Sequence, residues 1–427
     1  MTSLAITRRP VVLATSASAA MLTDILARIA SIRGRTSAWG VVNDATRAEL
    51  LASTSTEAVF LADYYRQGFV TAATPTLLPS WTFSRTGAAT ADNASGEVEN
   101  FATGAPRITT RGLLVEAAAT NLFLHSNDIS HAAWTPEAGA VITGTAEWNG
   151  VGDFYQIVTT AASTRYCAAM DVVPLAATTV KIRMLALPGF AEIGVAVFNL
   201  TAGTVTSTGG TGATSGVLQT ADGWRPFLTA TTASDTTSVL VAIVDGDGPM
   251  EISALQFETG PRPSSRIATT SSTATRGADV ATFAHAASTE GGALIEFLVP
   301  RVGVSSEVRT IFAWDNGSSA HAASFYLHLG NLYVSVALPG SSYQTSVAQT
   351  ASGTRMKVFV GWADGQIVCA ISGSARPSGT YTLDPAMTTV RPGGTYYSAD
   401  ALNGFIERVT LFDALPSVSE RLAMTGA

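Results

Sequence analysis

The 427-residue sequence predicts a mainly β protein: two β-sandwich domains in tandem, preceded by a short α-helical N-terminal anchor. Three observations predict it. Charged residues make up only 13% of the chain, about half of the ~25% usual in soluble domains, and Thr, Ser, Gly and Ala stand in their place. From Thr74 onward, short Val/Ile/Thr/Phe runs alternate with Gly, Asp-Gly and Pro breaks, the spacing of all-β sandwiches and barrels. Helical periodicity is confined to the segment before residue 75.

The elements follow in order. Leu22, Ile25, Leu26, Ile29 and Ile32 recur at steps of three and four, one face of an amphipathic helix that Gly34 stops. A second helical stretch is expected from Asp44 to Gln67, carrying Leu50, Leu51, Ala58, Phe60, Leu61 and Tyr65 and ending at Gly68. Two such helices are too small to stand alone, so residues 1–75 are expected to pack on another subunit or a larger assembly. Residues 76–120 read as a connector. A first sandwich is placed at 121–267, with strands at Val180–Leu187, Glu192–Leu200, Val239–Val244 and Glu251–Phe257. The Pro- and Ser/Thr-rich stretch 268–283 reads as a linker. A second sandwich is placed at 284–427, with strands at Ala293–Val299, Thr310–Trp314, Ser324–Leu329, Leu332–Leu338, Met356–Trp362, Gln366–Ser372 and Phe405–Phe412. Gly330-Asn331 and Asp364-Gly365 are tight-turn signals, and Ser417 caps a terminal helix over Ser417–Met424.

The same composition excludes function classes. With 25 basic and 32 acidic residues the formal net charge is −7, the opposite of the basic footprint of a nucleic-acid binder. No apolar run is long enough for a membrane-spanning helix. Arg8-Arg9 precede an apolar run too short for a secretory signal, so synthesis in the cytoplasm is expected. Cys167 and Cys369 lie in different halves and form neither a disulfide framework nor a zinc site.

Three stretches carry a resemblance. The first is Gly112-Leu113-Leu114-Val115-Glu116 with Thr120-Asn121-Leu122, His125-Ser126-Asn127-Asp128 and Trp134, preceded by Phe83-Ser84-Arg85-Thr86, Gly96 and Pro106-Arg107. The second is Ala196-Val197-Phe198-Asn199-Leu200 with Gly203-Thr204-Val205 and Gly223-Trp224-Arg225. The third is Leu255-Gln256-Phe257-Glu258, Gly260, Pro263-Ser264-Ser265 and Ile267, ending in Thr275-Arg276-Gly277-Ala278-Asp279. In this order they resemble the collar, jelly-roll and exit strand of modular tail-fibre and head-spike proteins of tailed phages and gene transfer agents. That jelly roll is similar to carbohydrate-binding modules. Gly404–Val409, Leu411-Phe412, Leu415-Pro416-Ser417 and Glu420-Arg421-Leu422 resemble the last strand and terminal helix of a concanavalin A-like, laminin-G-like sandwich.

The resemblance implies a virion structural protein on the particle surface that adheres to host surface glycans. Its implied partners are capsid, portal or tail proteins and host polysaccharide. It also implies a homo-oligomer, a trimer favoured, attached through its N-terminal segment. A polysaccharide-degrading spike and a secreted bacterial lectin are the alternatives.

The residues themselves mark little chemistry. No catalytic motif is present, and among 32 acidic residues no pair is singled out for glycoside cleavage. Glycan binding needs only an aromatic face and polar neighbours. Trp224, Trp314, Tyr333, Tyr343, Trp362, Tyr396 and Tyr397 lie near turn signals. The candidates taken forward are Trp314-Asp315-Asn316 and Tyr396-Tyr397, although sandwiches also bury aromatics. Asp245 and Asp247, in Asp245-Gly246-Asp247-Gly248, are the candidate calcium ligands; tight-turn chemistry explains them equally. No other cofactor is expected.

Overall fold

The computed structural model describes residues 58–63, 68–71, 82–287, 289–298, 308–318, 320–328, 331–338, 341–349, 355–380, 386–395 and 401–426. Within them the chain is β throughout, except for the helix Val418–Thr425. The expected helix at Leu22–Ile32 lies outside the described residues.

The middle sandwich has two six-stranded antiparallel sheets. One runs Ile142–Thr143, Glu147–Trp148, Met250–Thr259, Arg165–Pro174, Trp224–Thr231, Thr214–Gln219. The other runs Thr204–Gly209, Ala191–Asn199, Thr179–Leu187, Ser238–Val244, Phe154–Thr159, Thr135–Pro136. Alternation builds the core: Val180, Ile182 and Met184 point inward with no exposure, while Lys181 and Arg183 face out. Val239–Val244 is apolar at every step because both its faces are covered. Val239, Val241 and Ile243 join the main core, and Leu240, Ala242 and Val244 pack with Leu185. Phe123, Trp134, Trp148, Phe154 and Phe257 fill the centre; each such side chain contributes about 1.5–3 kcal/mol on full burial.

The outer sandwich pairs a nine-stranded sheet with a seven-stranded one. In the nine-stranded sheet Gly404–Phe412 is central, between Gly291–Leu298 on one side and Ala58–Asp63 and Gly112–Val115 on the other. The seven-stranded sheet runs Ser341–Gln349, Asn331–Leu338, Ala322–His328, Arg309–Asp315, Thr389–Pro392, Val280–Ala284, Thr82–Ser84. Asp364-Gly365 closes a two-residue hairpin with φ of 49° and 71°, both positive as a type I′ turn requires. Ser417 caps the terminal helix in a capping box with Glu420. Met424 packs that helix on Leu294, Phe359 and Phe412.

Three expectations are corrected. Ala58–Asp63, expected to be helical, is a strand paired with Gly404–Phe412, and Gly68–Thr71 pairs with it in turn. The run Ala58-Val59-Phe60-Leu61-Ala62 satisfies a buried strand as well as a helix face, and the open edge of Gly404–Phe412 decides it. Asn331, expected in the turn with Gly330, is instead the first residue of the strand Asn331–Leu338 and the register partner of His328. The two sandwiches are also not in tandem. Thr82–Ser84, Ile108–Thr109 and Gly112–Val115, from the expected connector, belong to the outer sandwich. The middle sandwich is therefore inserted into the outer one. The chain leaves through Ala119–Asn121 and returns through Ala274–Arg276, paired antiparallel with the Thr120 and Thr275 hydroxyls 2.8 Å apart. The expected linker 268–283 is this return strand followed by Val280–Ala284 of the outer sheet.

Candidate functional site

Where the chain crosses between sandwiches, it buries charge. Arg107 has no exposure. It donates from Nη1 to Glu116 Oε2 at 2.7 Å, Ser265 Oγ at 2.7 Å and Thr90 O at 2.9 Å, and from Nη2 to Asp279. Arg85 donates to Asp279 Oδ1 at 3.2 Å and to the carbonyls of Ala102, Ala105 and Gly87. Arg276 donates to Ala117 O at 2.7 Å and lies 3.4 Å from Glu116 Oε2. Burial alone would raise the Glu116 carboxyl, but the charges of Arg276 and Arg107 outweigh it and hold it at about 2.

A second set adjoins the first. Asp171 binds both Arg225 and Arg266, and Arg266 reaches Asp92. Burial pushes the Glu258 carboxyl up, although it accepts from Ser264 and Gln256. Asn121 is satisfied at both ends, donating to the carbonyls of Leu255 and Ile267 and accepting from the amides of Phe123 and Phe257.

Arg85, Arg107, Glu116, Asn121, Arg225, Glu258, Ser265, Arg276 and Asp279, all within the stretches that carry the resemblance, are engaged with one another or with backbone in this junction, which staples the two sandwiches together.

A different kind of site lies on the exposed face of the seven-stranded sheet. Phe325, Leu327, Leu332 and Val334 point into the core, so Tyr326, His328 and Tyr333 point out. Tyr326 and Tyr333 are register partners, and their half-buried rings stack at 5.4 Å with planes 8° apart. The His328 ring stands edge-on to Tyr333 at 6.0 Å. Exposed Gln344 donates to the Tyr326 hydroxyl. Ser324 and Ser335 lie one rung away on the same face, and exposed Ser346 is the partner of Tyr333 on the next strand. Burial raises the Tyr326 phenol, so it stays neutral and able to donate.

The sequence-derived candidates fall elsewhere. Trp314 is 2% exposed, edge-on to Trp362 at 5.0 Å, with Nε1 donating to His285 O at 2.7 Å. Its ring is core and offers no open face. Asp315 is fully buried and bound by Arg391 at 2.7 and 3.2 Å. Only Asn316 of this trio is exposed, and its side chain accepts from Ser318. Tyr396 and Tyr397 lie outside the described residues. Trp224 is half-buried, its ring over Gly203 and its Nε1 bonded to Leu200 O.

Asp245 pairs with Lys181, and Asp247 accepts from the Thr178 and Thr179 amides at 2.7 and 2.9 Å and from the Thr178 hydroxyl. Both carboxylates are engaged in holding the turn, so the pair does not fit a calcium ligand set. Among the described residues no group of three His, Cys, Asp or Glu side chains is placed to hold a metal ion.

Tyr326 went unnoticed because the hairpin register was one residue off. With His328 opposite Asn331, Tyr326 falls opposite Tyr333.

No protein-family model matches the chain, and no curated protein does. Among solved structures, the CBM40 domain of the Ruminococcus gnavus IT-sialidase bound to α2,3-sialyllactose is similar at 17% identity and TM-score 0.29, over 33% of this chain and 84% of that one. Domain 4 of an extracellular arabinanase from Geobacillus stearothermophilus, in complex with arabinotriose, is similar at 12% identity and TM-score 0.30, over 35% and 73%. The binding domain of a botulinum neurotoxin of serotype D/C is similar at 9% identity and TM-score 0.28, over 34% and 39%.

Proposed function

We propose that this chain is a fibre or head-spike subunit on the surface of a phage or phage-like particle, adhering to neutral host-surface glycans without cleaving them. The observation that carries the glycan reading is the stacked Tyr326–Tyr333 pair on an open sheet face. The rings stand side by side at about the spacing of neighbouring strands. The cross-strand neighbour of Tyr333 on its outer side is the small, exposed Ser346. A pyranose laid there puts its apolar C–H face on Tyr333, while Gln344 and Ser335 meet its hydroxyls.

No charged group is needed, in keeping with a chain only 13% charged. A single site of this kind is weak. Display of several copies in a homotrimer, and of several trimers per particle, supplies avidity without new contacts. The fibre reading rests on the ordered resemblance between Phe83 and Asp279, and the binding reading on the tyrosine pair.

Saturation-transfer NMR of the full chain against a panel of neutral oligosaccharides tests it. Wild type should bind at least one of them and release it intact, and Tyr333→Ala should weaken binding about tenfold or more with an unchanged melting temperature. Wild type that binds none, or a variant that binds as well as wild type, overturns the reading.

A further inference from the structure

A second recess lies at the junction of the two sandwiches, with a volume of about 360 Å³, within the ~300–1,000 Å³ of small-ligand pockets. Its apolar strip is Leu114 and Phe405 from the outer domain and Val217 and Leu218 from the inserted one. Its wall carries charge of both signs, but the carboxylates are already engaged. Asp92 is bound by Arg266, Glu116 by Arg107 and Ser265, and Glu258 by Ser264 and Gln256.

Cationic donors remain over. Arg111 sits on the turn before Gly112–Val115, its amide donating to the Thr109 hydroxyl and its guanidinium 5.8 Å above the Phe405 ring; the guanidinium has no hydrogen-bond or ion-pair partner among the described residues. Arg266 donates from Nε and Nη1, yet its buried Nη2 has no partner. In a chain of formal net charge −7, this recess presents unspent positive charge beside an apolar strip.

We infer that this recess is a second saccharide site, selective for a sugar bearing a carboxylate, with Arg111 as the principal anion contact. That the ligand is a saccharide rests on the adhesin reading above. That it is acidic rests on the arginines. A guanidinium matches a carboxylate with two parallel N–H donors, and the ring already beneath Arg111 fixes the plane in which that fork is presented. The C–H face of the sugar lies on Leu114 and Leu218. The site is built from both domains, so it exists only when the inserted sandwich is seated on the outer one.

Titration calorimetry of the full chain with a galacturonate trimer, its methyl ester and sialyllactose tests the assignment. At least one acid should bind, more weakly as salt rises. The ester, alike in shape but uncharged, should bind about tenfold or more weaker than the galacturonate trimer if that acid binds, and Arg111→Gln should lose acid binding by a similar factor. Arg111 is half-exposed and its guanidinium unpartnered, so Arg111→Gln should melt as wild type does, and Tyr333→Ala should bind the acid normally. Failure of both acids to bind, equal binding of trimer and ester, or a loss that follows Tyr333→Ala and not Arg111→Gln overturns the inference. Neutral-glycan binding that survives any of these results leaves the tyrosine site standing.

Discussion

Asp279 shows how one residue can be worth more than its own bonds. Its carboxylate has no exposure and answers Arg85, Arg107 and the Glu116 amide at once, with Arg276 3.8 Å away. Such pairs add little net stability when complete, because desolvation offsets attraction, but removing one partner strands the other charges. Asp279→Ala should therefore cost about 3–5 kcal/mol, read from urea unfolding; a loss within about 1 kcal/mol would show the guanidiniums to be solvated after all. Glu116 adds a pH dependence. Its folded pKa of about 2 lies below its unfolded value, so its contribution is fully present above about pH 4.5 and is lost as pH falls toward 2. Glu116→Gln should flatten the acid limb of the stability profile between these pH values. An unchanged acid limb in the variant would place the titrating group elsewhere.

At the scale of elements, strands were legible where alternation was strong and both neighbours were local. Thr179–Leu187 matches its expected position within a residue because its inward and outward positions differ so clearly, and Arg355–Ala363 does so because its apolar run ends at the Asp364-Gly365 turn. Legibility failed where tertiary cover overrode local signals. Arg309–Asp315 is buried at every position, so its Asp-Asn-Gly turn signal marked the end of a central strand and not an exposed aromatic loop. The Tyr326–Tyr333 pair was hidden for a related reason, a one-residue error in turn placement that changes every cross-strand partner. Ala58–Asp63 was illegible because the strand that ties it to the outer sheet lies more than 300 residues away. This strand also changes what the N-terminal segment does. A chain beginning at residue 76 loses the pairing along Gly404–Phe412 and exposes an edge. It should show a lowered melting transition for the outer sandwich and aggregate on heating, while a chain beginning at residue 56 should melt as the full chain does. If removing the strand leaves the transition unmoved, its pairing carries no stability.

The whole molecule is organised by the insertion. One sandwich interrupts another, and the crossing strands Ala119–Asn121 and Ala274–Arg276 run side by side through the buried charges. The ends of the inserted domain are thus fixed together, which lets it fold as a unit and be held rigidly against its host. Two antiparallel crossings fix the orientation of one sandwich on the other more tightly than a single tandem linker would. The insertion also makes the domains unequal. The inserted sandwich draws all twelve strands of its two sheets from within residues 135–259. The outer one needs Thr82–Ser84, Ile108–Thr109 and Gly112–Val115 from before the insertion and Gly291–Leu298 onward from after it. A fragment spanning 119–276 should therefore give a cooperative unfolding transition by itself. A fragment spanning 284–427 should remain unfolded or aggregate, having lost strands from both sheets together with Val115 and Phe283 from its core. Replacing residues 121–273 in the full chain by a short glycine-rich turn joining the crossing strands should restore a folded outer sandwich, because the sequence on either side supplies its remaining strands. Circular dichroism melts of the three proteins decide the matter. A folded 284–427 fragment would mean that the early strands are accessories and the tandem description was adequate.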